Sequence, residues 1–381
     1  MGPSRGHGAS VVLACVVLAG LTIGIVGSNA FGETSATAAT VTAGQGTETV
    51  DRSEIERRLA LPPFAYVAEN DYDTAKLMKN ENGYSGAAAF IDSITDSLAA
   101  RPAAGTLLNS VAVAPDGSRF YVTDYYEAVL HVFDAETKLE ILKIALPGVE
   151  PRDPTWLRTV VQNSEETFPF KLMRPCASGV ASTPDGAWVL VCSSAGLQVV
   201  ETATNQVVRT LSDLLGTLVA VSFDGKRAYV ACDSLDSLGP RGYLDWIRTL
   251  MKTEECRLVC IDLETWQIVS ETPTTMVAGL AVKPDDTQVF FSECYQKRVR
   301  VVDALTLEDM WNVSTEPSYS VGIGFVPNGT KAYVVCSADS GFFDSSGQLT
   351  TPKVPTAEDF FCAVIDTADK EIIKRIPLEA Y

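Results

Sequence analysis

Short runs of apolar residues, separated by turn residues, recur along almost the whole chain. In the stretch from Ser110, the runs SVAVA, RFYV, VLHVF and LEILKIAL are too short for helices and rich in residues that favour β-strands. Between them stand Pro-Asp-Gly and Asp-x-x-Thr sequences. These suit tight turns, because Asp bonds the local backbone and Gly tolerates a positive φ. The pattern predicts four short antiparallel strands in this unit.

The same unit returns several times, and two turn signatures mark its copies. The first signature stands at Asp92–Thr95, Asp134–Thr137, Glu201–Thr204, Asp262–Thr265, Asp303–Thr306 and Asp366–Asp369. The second stands at Pro115–Gly117, Pro184–Gly186, Phe223–Gly225, Pro284–Asp286 and Pro327–Gly329. One four-stranded unit cannot bury both of its faces, so the units must stack on one another. The predicted fold is therefore all-β, a β-propeller of four-stranded antiparallel blades.

The repeat resembles the YVTN-type β-propeller repeat of surface-layer and secreted propeller proteins. The resemblance is carried by APDGSRFYVTD…LHVFDAET and VPNGTKAYVVC…CAVIDTAD, and it covers residues 64–377. FAYVAEN with AAFIDSIT is a first, partial copy that lacks its innermost strand. Six units are visible, and relatives often have seven blades, so a six- or seven-bladed propeller is expected. The resemblance implies the fold and little about activity, because propellers host many functions.

The units differ in length because some carry insertions. Successive Asp turns lie about 40 residues apart in two cases and about 60 in three. The extra residues fall at 148–175, 233–256 and 337–360, and a smaller insertion falls at 70–86. In an up-and-down blade, these connections all leave on one face. Insertions gathered on one face are typical of a binding face.

Two of these insertions contain a similar phrase, TWLRTVV at 155–161 and DWIRTLM at 245–251. Each predicts a short helix, with Trp156 or Trp246 on one side and Arg158 or Arg248 roughly on the other. Two interpretations stay open. The helices are small caps over the channel with Trp as an anchor, or the Trp and Arg side chains are hot spots for a ligand or partner.

The N-terminus predicts export. Residues 1–30 combine Arg5 with an uncharged apolar run, as in a signal peptide, and the run is also about long enough for an uncleaved signal anchor. Residues 31–52 form a flexible linker rich in Thr, Ala and Gly, and 53–381 form the propeller domain. The expected location is extracellular, secreted or at the cell surface. Contact with a membrane is expected only through an uncleaved N-terminal segment.

Cysteine usage agrees with an oxidising compartment. Nine cysteines are present, and one of them lies in the predicted signal. Cys232 and Cys256 bracket one insertion, and Cys336 and Cys362 bracket another. The sequence predicts a disulfide within each pair, at the base of each insertion.

Candidate chemistry is limited to carboxylates. The net charge of −18 disfavours nucleic acid as a partner, and only two histidines exist, of which His131 is predicted to be a strand residue. Glu69, Asp124 and Glu293 each take the last position of a predicted second strand. Such oxygen ligands suit Ca²⁺. The competing interpretation is that these carboxylates are simply solvated.

The overall expectation is an interaction module that binds a protein, a small molecule or a glycan through the insertion face. The alternative is a Ca²⁺-dependent hydrolase, similar to propeller lactonases. Asn312 and Asn328 are glycosylation sequons if the host glycosylates.

Overall fold

A computed structural model describes residues 64–72, 84–92, 97–153, 176–233, 256–337 and 360–378. In these ranges the regular structure is entirely β, and no helix is present that could cross a membrane. The first three sheets contain β1 (Phe64–Tyr72), β2 (Tyr84–Asp92), β3 (Ser97–Ala100), β4 (Leu108–Val113), β5 (Arg119–Asp124), β6 (Val129–Asp134), β7 (Glu140–Ala145), β8 (Ala177–Ser182), β9 (Trp188–Ser193), β10 (Gly196–Glu201) and β11 (Gln206–Leu211). The other three contain β12 (Gly216–Val221), β13 (Arg227–Asp233), β14 (Cys256–Asp262), β15 (Gln267–Thr274), β16 (Val277–Val282), β17 (Gln288–Glu293), β18 (Arg298–Asp303), β19 (Asp309–Ser314), β20 (Tyr319–Phe325), β21 (Lys331–Ser337), β22 (Phe361–Asp366) and β23 (Glu371–Pro377).

The strands form six antiparallel sheets, each an up-and-down meander in chain order. Sheet 1 contains β1 to β3, and sheets 2 to 6 contain four strands each, from β4–β7 to β20–β23. The first strands of sheets 2 to 6 contact one another in succession, β4 with β8, β8 with β12, β12 with β16 and β16 with β20. Five four-stranded sheets arranged in this way are consistent with the blades of a β-propeller.

The core lies between neighbouring sheets. Val132 and Tyr121 of sheet 2 pack with Val191 of sheet 3, and equivalent clusters join the following pairs of sheets. The middle strands are therefore covered on both faces, and both alternating positions are apolar. The fourth strands are the exception, since β7, β11 and β19 are mostly exposed. This explains why the inner runs of each unit are more continuously hydrophobic than the outer run.

The Asp-x-x-Thr sequences form the turn between the third and fourth strands. Asp134 Oδ1 accepts hydrogen bonds from Thr137 N and Thr137 Oγ1, both at 2.7 Å, and Asp262 does the same for Thr265. In the five copies of this turn that the structure describes in full, the next residue has a positive φ, as at Lys138. Hydrogen bonds from the Thr137 backbone and side chain lower the pKa of Asp134. The predicted turn chemistry is confirmed.

Sheet 1 has three strands in the described residues, one fewer than each of the other sheets. Its first strand, β1, contacts β4, as the second strand β5 contacts β8 in the next pair of sheets. The position of β1 therefore corresponds to a second strand. The predicted lack of an innermost strand stays a prediction, since residues 1–63 lie outside the described residues. The register continues to Tyr72 opposite Tyr84, so the predicted insertion at 70–86 was wrong at its edges. Both of its ends are strand.

The other insertions leave from the strand ends that the meander places together. Residues 154–175 connect β7 to β8, 234–255 connect β13 to β14, and 338–359 connect β21 to β22; these three segments, with the predicted short helices, lie outside the described residues. In a meander, the ends of second strands and the ends of fourth strands lie on the same side. We call this side the insertion end, and the side of the Pro-Asp-Gly and Asp-x-x-Thr turns the turn end.

Candidate functional site

Asp124 organises the insertion end of sheet 2. It is the last residue of β5, as predicted, and it is buried. Its Oδ1 accepts hydrogen bonds from the backbone N–H groups of Tyr126 (2.7 Å) and Glu127 (2.9 Å), and its Oδ2 accepts from Thr106 (2.5 Å) and Leu107 (3.0 Å). Burial raises the pKa of Asp124, and these backbone bonds oppose the rise. The carboxylate thus ties the β5–β6 turn to the chain that enters β4.

His131 stands beside this carboxylate. It lies in β6 and is fully buried. Its Nδ1 lies 2.6 Å from Glu140 Oε1, within hydrogen-bond distance, whereas its Nε2 lies 3.8 Å from Glu127 Oε2. Within the described residues, Nε2 has no hydrogen-bond partner.

Glu127 links this group to solvent. Its side chain is 32% exposed, and its Oε2 lies 3.1 Å from Lys143 Nζ. Ligand atoms of Asp124, Glu127 and His131 all lie within 4.8 Å of one another. We call these three residues the blade 2 cluster. The prediction of His131 as a strand residue is confirmed. The sequence analysis named Asp124 as a candidate ligand but did not place it beside His131, and it missed Glu127.

Gly105 completes the wall of the blade 2 cluster. A Cβ atom at this position would lie only 3.1 Å from His131 Nε2 and would collide with Asp124 Oδ2. The backbone there also has a positive φ of 55°. Glycine is required here by both the conformation and the close approach of the two side chains.

Glu293 forms a second buried centre, in sheet 5. It is the last residue of β17, as predicted, and it is 1% exposed. Its carboxylate accepts hydrogen bonds from Arg298 Nε, Thr274 Oγ1 (2.9 Å) and Thr275 N (3.2 Å), and Arg300 Nη1 lies 3.5 Å away. Burial alone would raise the pKa of Glu293, but these hydrogen bonds and the charge of Arg298 hold it below its ordinary value. This environment pairs Glu293 with arginine, whereas a Ca²⁺ site needs free oxygen ligands.

A groove of about 550 Å³ opens beside Glu293, between sheets 4 and 5. Its lining combines carboxylate, guanidinium and aromatic groups, from residues 272–275, Glu293, Arg298, Arg300 and 309–312. Two polar atoms of this lining, Thr275 Oγ1 and Trp311 Nε1, are buried with no partner among the described residues. Because Thr274 pairs with Cys256, the groove lies beside the strand ends joined by segment 234–255.

The three predicted calcium ligands have different environments. Asp124 is bonded to backbone N–H groups and Glu293 to arginine. Glu69 lies inside β1, three residues before the strand ends, so its predicted place at the end of a strand was wrong. Its side chain is outside the described set, and calcium binding by the three stays a prediction.

The predicted hot spots Trp156, Arg158, Trp246 and Arg248 lie outside the described residues. The two predicted glycosylation sites are exposed, Asn312 in β19 and Asn328 in the last Pro-Asn-Gly turn. Asn328 Oδ1 accepts hydrogen bonds from Thr330 N (3.1 Å) and Thr330 Oγ1 (2.8 Å). Glycosylation itself stays a prediction.

The strand register argues against both predicted disulfides, and no disulfide is formed in the described residues. Cys232 stands opposite Arg257, one residue out of line with Cys256. Cys336 stands opposite Phe361, one residue out of line with Cys362. An offset of one residue points two side chains to opposite faces of a sheet. The sequence located the bases of the insertions but could not supply this register.

Comparison with known proteins adds little about function. No protein-family model matches the chain, and no curated protein matches it. Among solved structures, it is similar to a chain of hydrazine synthase from Kuenenia stuttgartiensis, with 16% sequence identity and a TM-score of 0.47. The match covers 79% of this chain and 94% of that chain. A likeness this distant carries no argument about activity, and the description of the fold rests on the sheets themselves.

Proposed function

We propose that the chain is an exported, six-bladed β-propeller of the YVTN type that acts as an interaction module at the cell surface or envelope. Its insertion end binds a protein, a glycan or another small ligand. The observation that carries this proposal is the meander order of the sheets, which sends every long connection out of the same end. In the part of the chain that the structure describes, the turn end carries short turns. Binding residues concentrate on loops that a rigid scaffold positions.

The groove beside Glu293 also supports binding at the insertion end. Its guanidinium groups and aromatic edge offer both polar and apolar contacts, and so do Thr275 Oγ1 and Trp311 Nε1, which have no partner among the described residues. It lies next to Cys256, where segment 234–255 rejoins the sheet, and that segment carries Trp246 and Arg248. Buried Trp and Arg side chains are the residues that most often dominate binding free energy.

The test compares the two ends of the molecule with matched substitutions. Full-length protein is bound to envelopes isolated from the source cells, and its Kd is measured. The double variant Trp246→Ala/Arg248→Ala is expected to bind at least tenfold more weakly, because hot-spot truncations cost about 2 kcal/mol or more each. Phe223→Ala is the control, since Phe223 is 57% exposed at the turn end. It is expected to bind like the parent chain.

Two results would contradict this proposal. The first is equal binding by the parent chain and both variants, with circular dichroism showing that all of them are folded. The second is Ca²⁺-dependent turnover of lactone substrates by the purified chain, which would favour the hydrolase.

A further inference from the structure

The hydrogen bond between His131 and Glu140 is of the kind that orients metal-binding histidines. Because Nδ1 lies 2.6 Å from Glu140 Oε1, a neutral imidazole donates its proton there and leaves the Nε2 lone pair as an acceptor. Histidines that bind metals commonly donate their other ring N–H to a carboxylate in this way. The Nε2 atom is buried and has no hydrogen-bond partner among the described residues. A buried acceptor without a partner is costly, and a bound ligand removes that cost.

The Glu127 carboxylate faces this lone pair, and the Asp124 carboxylate supports the turn that carries Glu127. Glu127 Oε2 lies 3.8 Å from Nε2, and an Asp124 oxygen lies within 4.8 Å of both. Asp124 also accepts a hydrogen bond from the backbone N–H of Glu127, which fixes the turn that presents Glu127. Glu127 is partly exposed, so an ion has a path from solvent to the buried imidazole.

The donor set indicates the class of ion. Imidazole nitrogen combined with carboxylate oxygen suits Zn²⁺ and other first-row divalent metals, whereas Ca²⁺ and Mg²⁺ prefer oxygen ligands alone. We propose that His131 Nε2 and Glu127 bind a divalent transition-metal ion such as Zn²⁺. Each oxygen of Asp124 already accepts two backbone N–H hydrogen bonds, so Asp124 fixes the turn that presents Glu127 and is not a ligand. Glu140 is the positioning residue that orients the ring. This site differs from the calcium site predicted from Glu69, Asp124 and Glu293, and it does not depend on the proposed function.

The test titrates Zn²⁺ into full-length protein after chelation and dialysis, with calorimetry and metal analysis as readouts. One equivalent is expected to bind. His131→Gln and Glu127→Gln are expected to lose it, and Glu140→Gln to weaken it about tenfold, since removing such an outer partner costs 10- to 100-fold in affinity. The matched control is Glu136→Gln, an exposed carboxylate in the neighbouring turn, which is expected to bind like the parent chain.

Lys143 provides a second test. Its expected result would not follow if the Lys143–Glu127 ion pair were purely structural. Its Nζ lies 3.1 Å from Glu127 Oε2 and competes with a metal for that carboxylate. Lys143→Met is therefore expected to tighten Zn²⁺ binding. Lys143→Met and Glu127→Gln change partly exposed side chains, so both variants are expected to fold. They still test the proposal if His131→Gln fails to fold.

Cobalt distinguishes this site from thiolate sites, because the chain also contains nine cysteines. The Co²⁺ form is expected to lack the sulfur-to-cobalt charge-transfer bands that thiolate ligands produce. The proposal is overturned by any of three results: no equivalent of Zn²⁺ on the parent chain, unchanged affinity in folded Glu127→Gln, or strong thiolate bands with Co²⁺.

Discussion

At the residue scale, burial changes the reactivity of particular cysteine thiols. It raises the pKa of Cys336 to about 12 and the pKa of Cys260 to about 11. Burial also raises the pKa of Cys362, but this is the one cysteine among the described residues that is not buried. Only a thiolate reacts with an alkylating agent, so a raised pKa slows the reaction at neutral pH.

Native alkylation at pH 8, followed by peptide mapping, tests this order of reactivity. Cys362 is expected to react first, and Cys260 and Cys336 are expected to react only after long exposure. Their rates should rise as the pH approaches their raised pKa values. Urea-unfolded protein is the control, in which all of these thiols should react alike. A Cys336–Cys362 peptide released only by reductant would contradict this prediction and restore the predicted disulfide.

The turns between the first and second strands form a chain of contacts from sheet to sheet. A Cβ atom at Gly186 would lie 3.6 Å from Pro115 Cδ, one at Gly225 would lie 3.5 Å from Pro184 Cδ, and Gly329 lies against Pro284 in the same way. The one pair that departs from this pattern is Phe223 and Asp286. There Asp286 accepts hydrogen bonds from the N–H groups of Phe223 (2.7 Å) and Asp224 (2.8 Å). Proline has no N–H, so the two departures complement each other.

A double-mutant cycle measures this complementarity. Phe223→Pro removes one donor from the Asp286 carboxylate, and Asp286→Gly leaves two N–H groups to water while it relieves a positive φ of 56°. The double variant recreates the proline–glycine contact of the other turns. The two changes are therefore expected to be non-additive in the free energy of unfolding, by about 1 kcal/mol in favour of the double variant. Urea denaturation provides the measurement.

The reciprocal pair is the control for this cycle. Pro184→Phe and Gly225→Asp, made together, should cost less than the sum of their separate effects. Strict additivity in both cycles would show that the two turns do not depend on each other.

Local patterns predicted the elements well, because each strand and turn is determined by neighbouring residues. The Asp-x-x-Thr sequences formed their turns, and Asp124 and Glu293 ended second strands as expected. The sequence could not supply contacts that depend on register or on another strand. Cys232 misses Cys256 by one residue of register, and Glu140 reaches His131 only across the β6–β7 hairpin.

At the scale of the whole molecule, stability depends on each sheet being covered by its neighbours. Sheets 3 to 5 are packed on both sides by apolar clusters. Sheet 1 has three strands in the described residues, and its cluster joins it to sheet 2. In stacked repeats, each unit is stabilised mainly by its nearest neighbours, so a terminal unit is the least protected. A complete ring would remove this difference, because every blade would then have two neighbours.

Hydrogen exchange with mass spectrometry distinguishes these two states of the ring. We compare β2 (Tyr84–Asp92) of sheet 1 with β18 (Arg298–Asp303), the third strand of sheet 5. The two strands are equivalent, because β1 takes the position of a second strand and β2 follows it. If sheet 1 is terminal, the amides of β2 are expected to exchange faster than those of β18, since local opening needs less free energy where fewer neighbours pack. The third strand of sheet 2, β6, is the internal control and should resemble β18. Equal protection of β2 and β18 would contradict the prediction and show that residues outside the described set complete sheet 1 and close the ring.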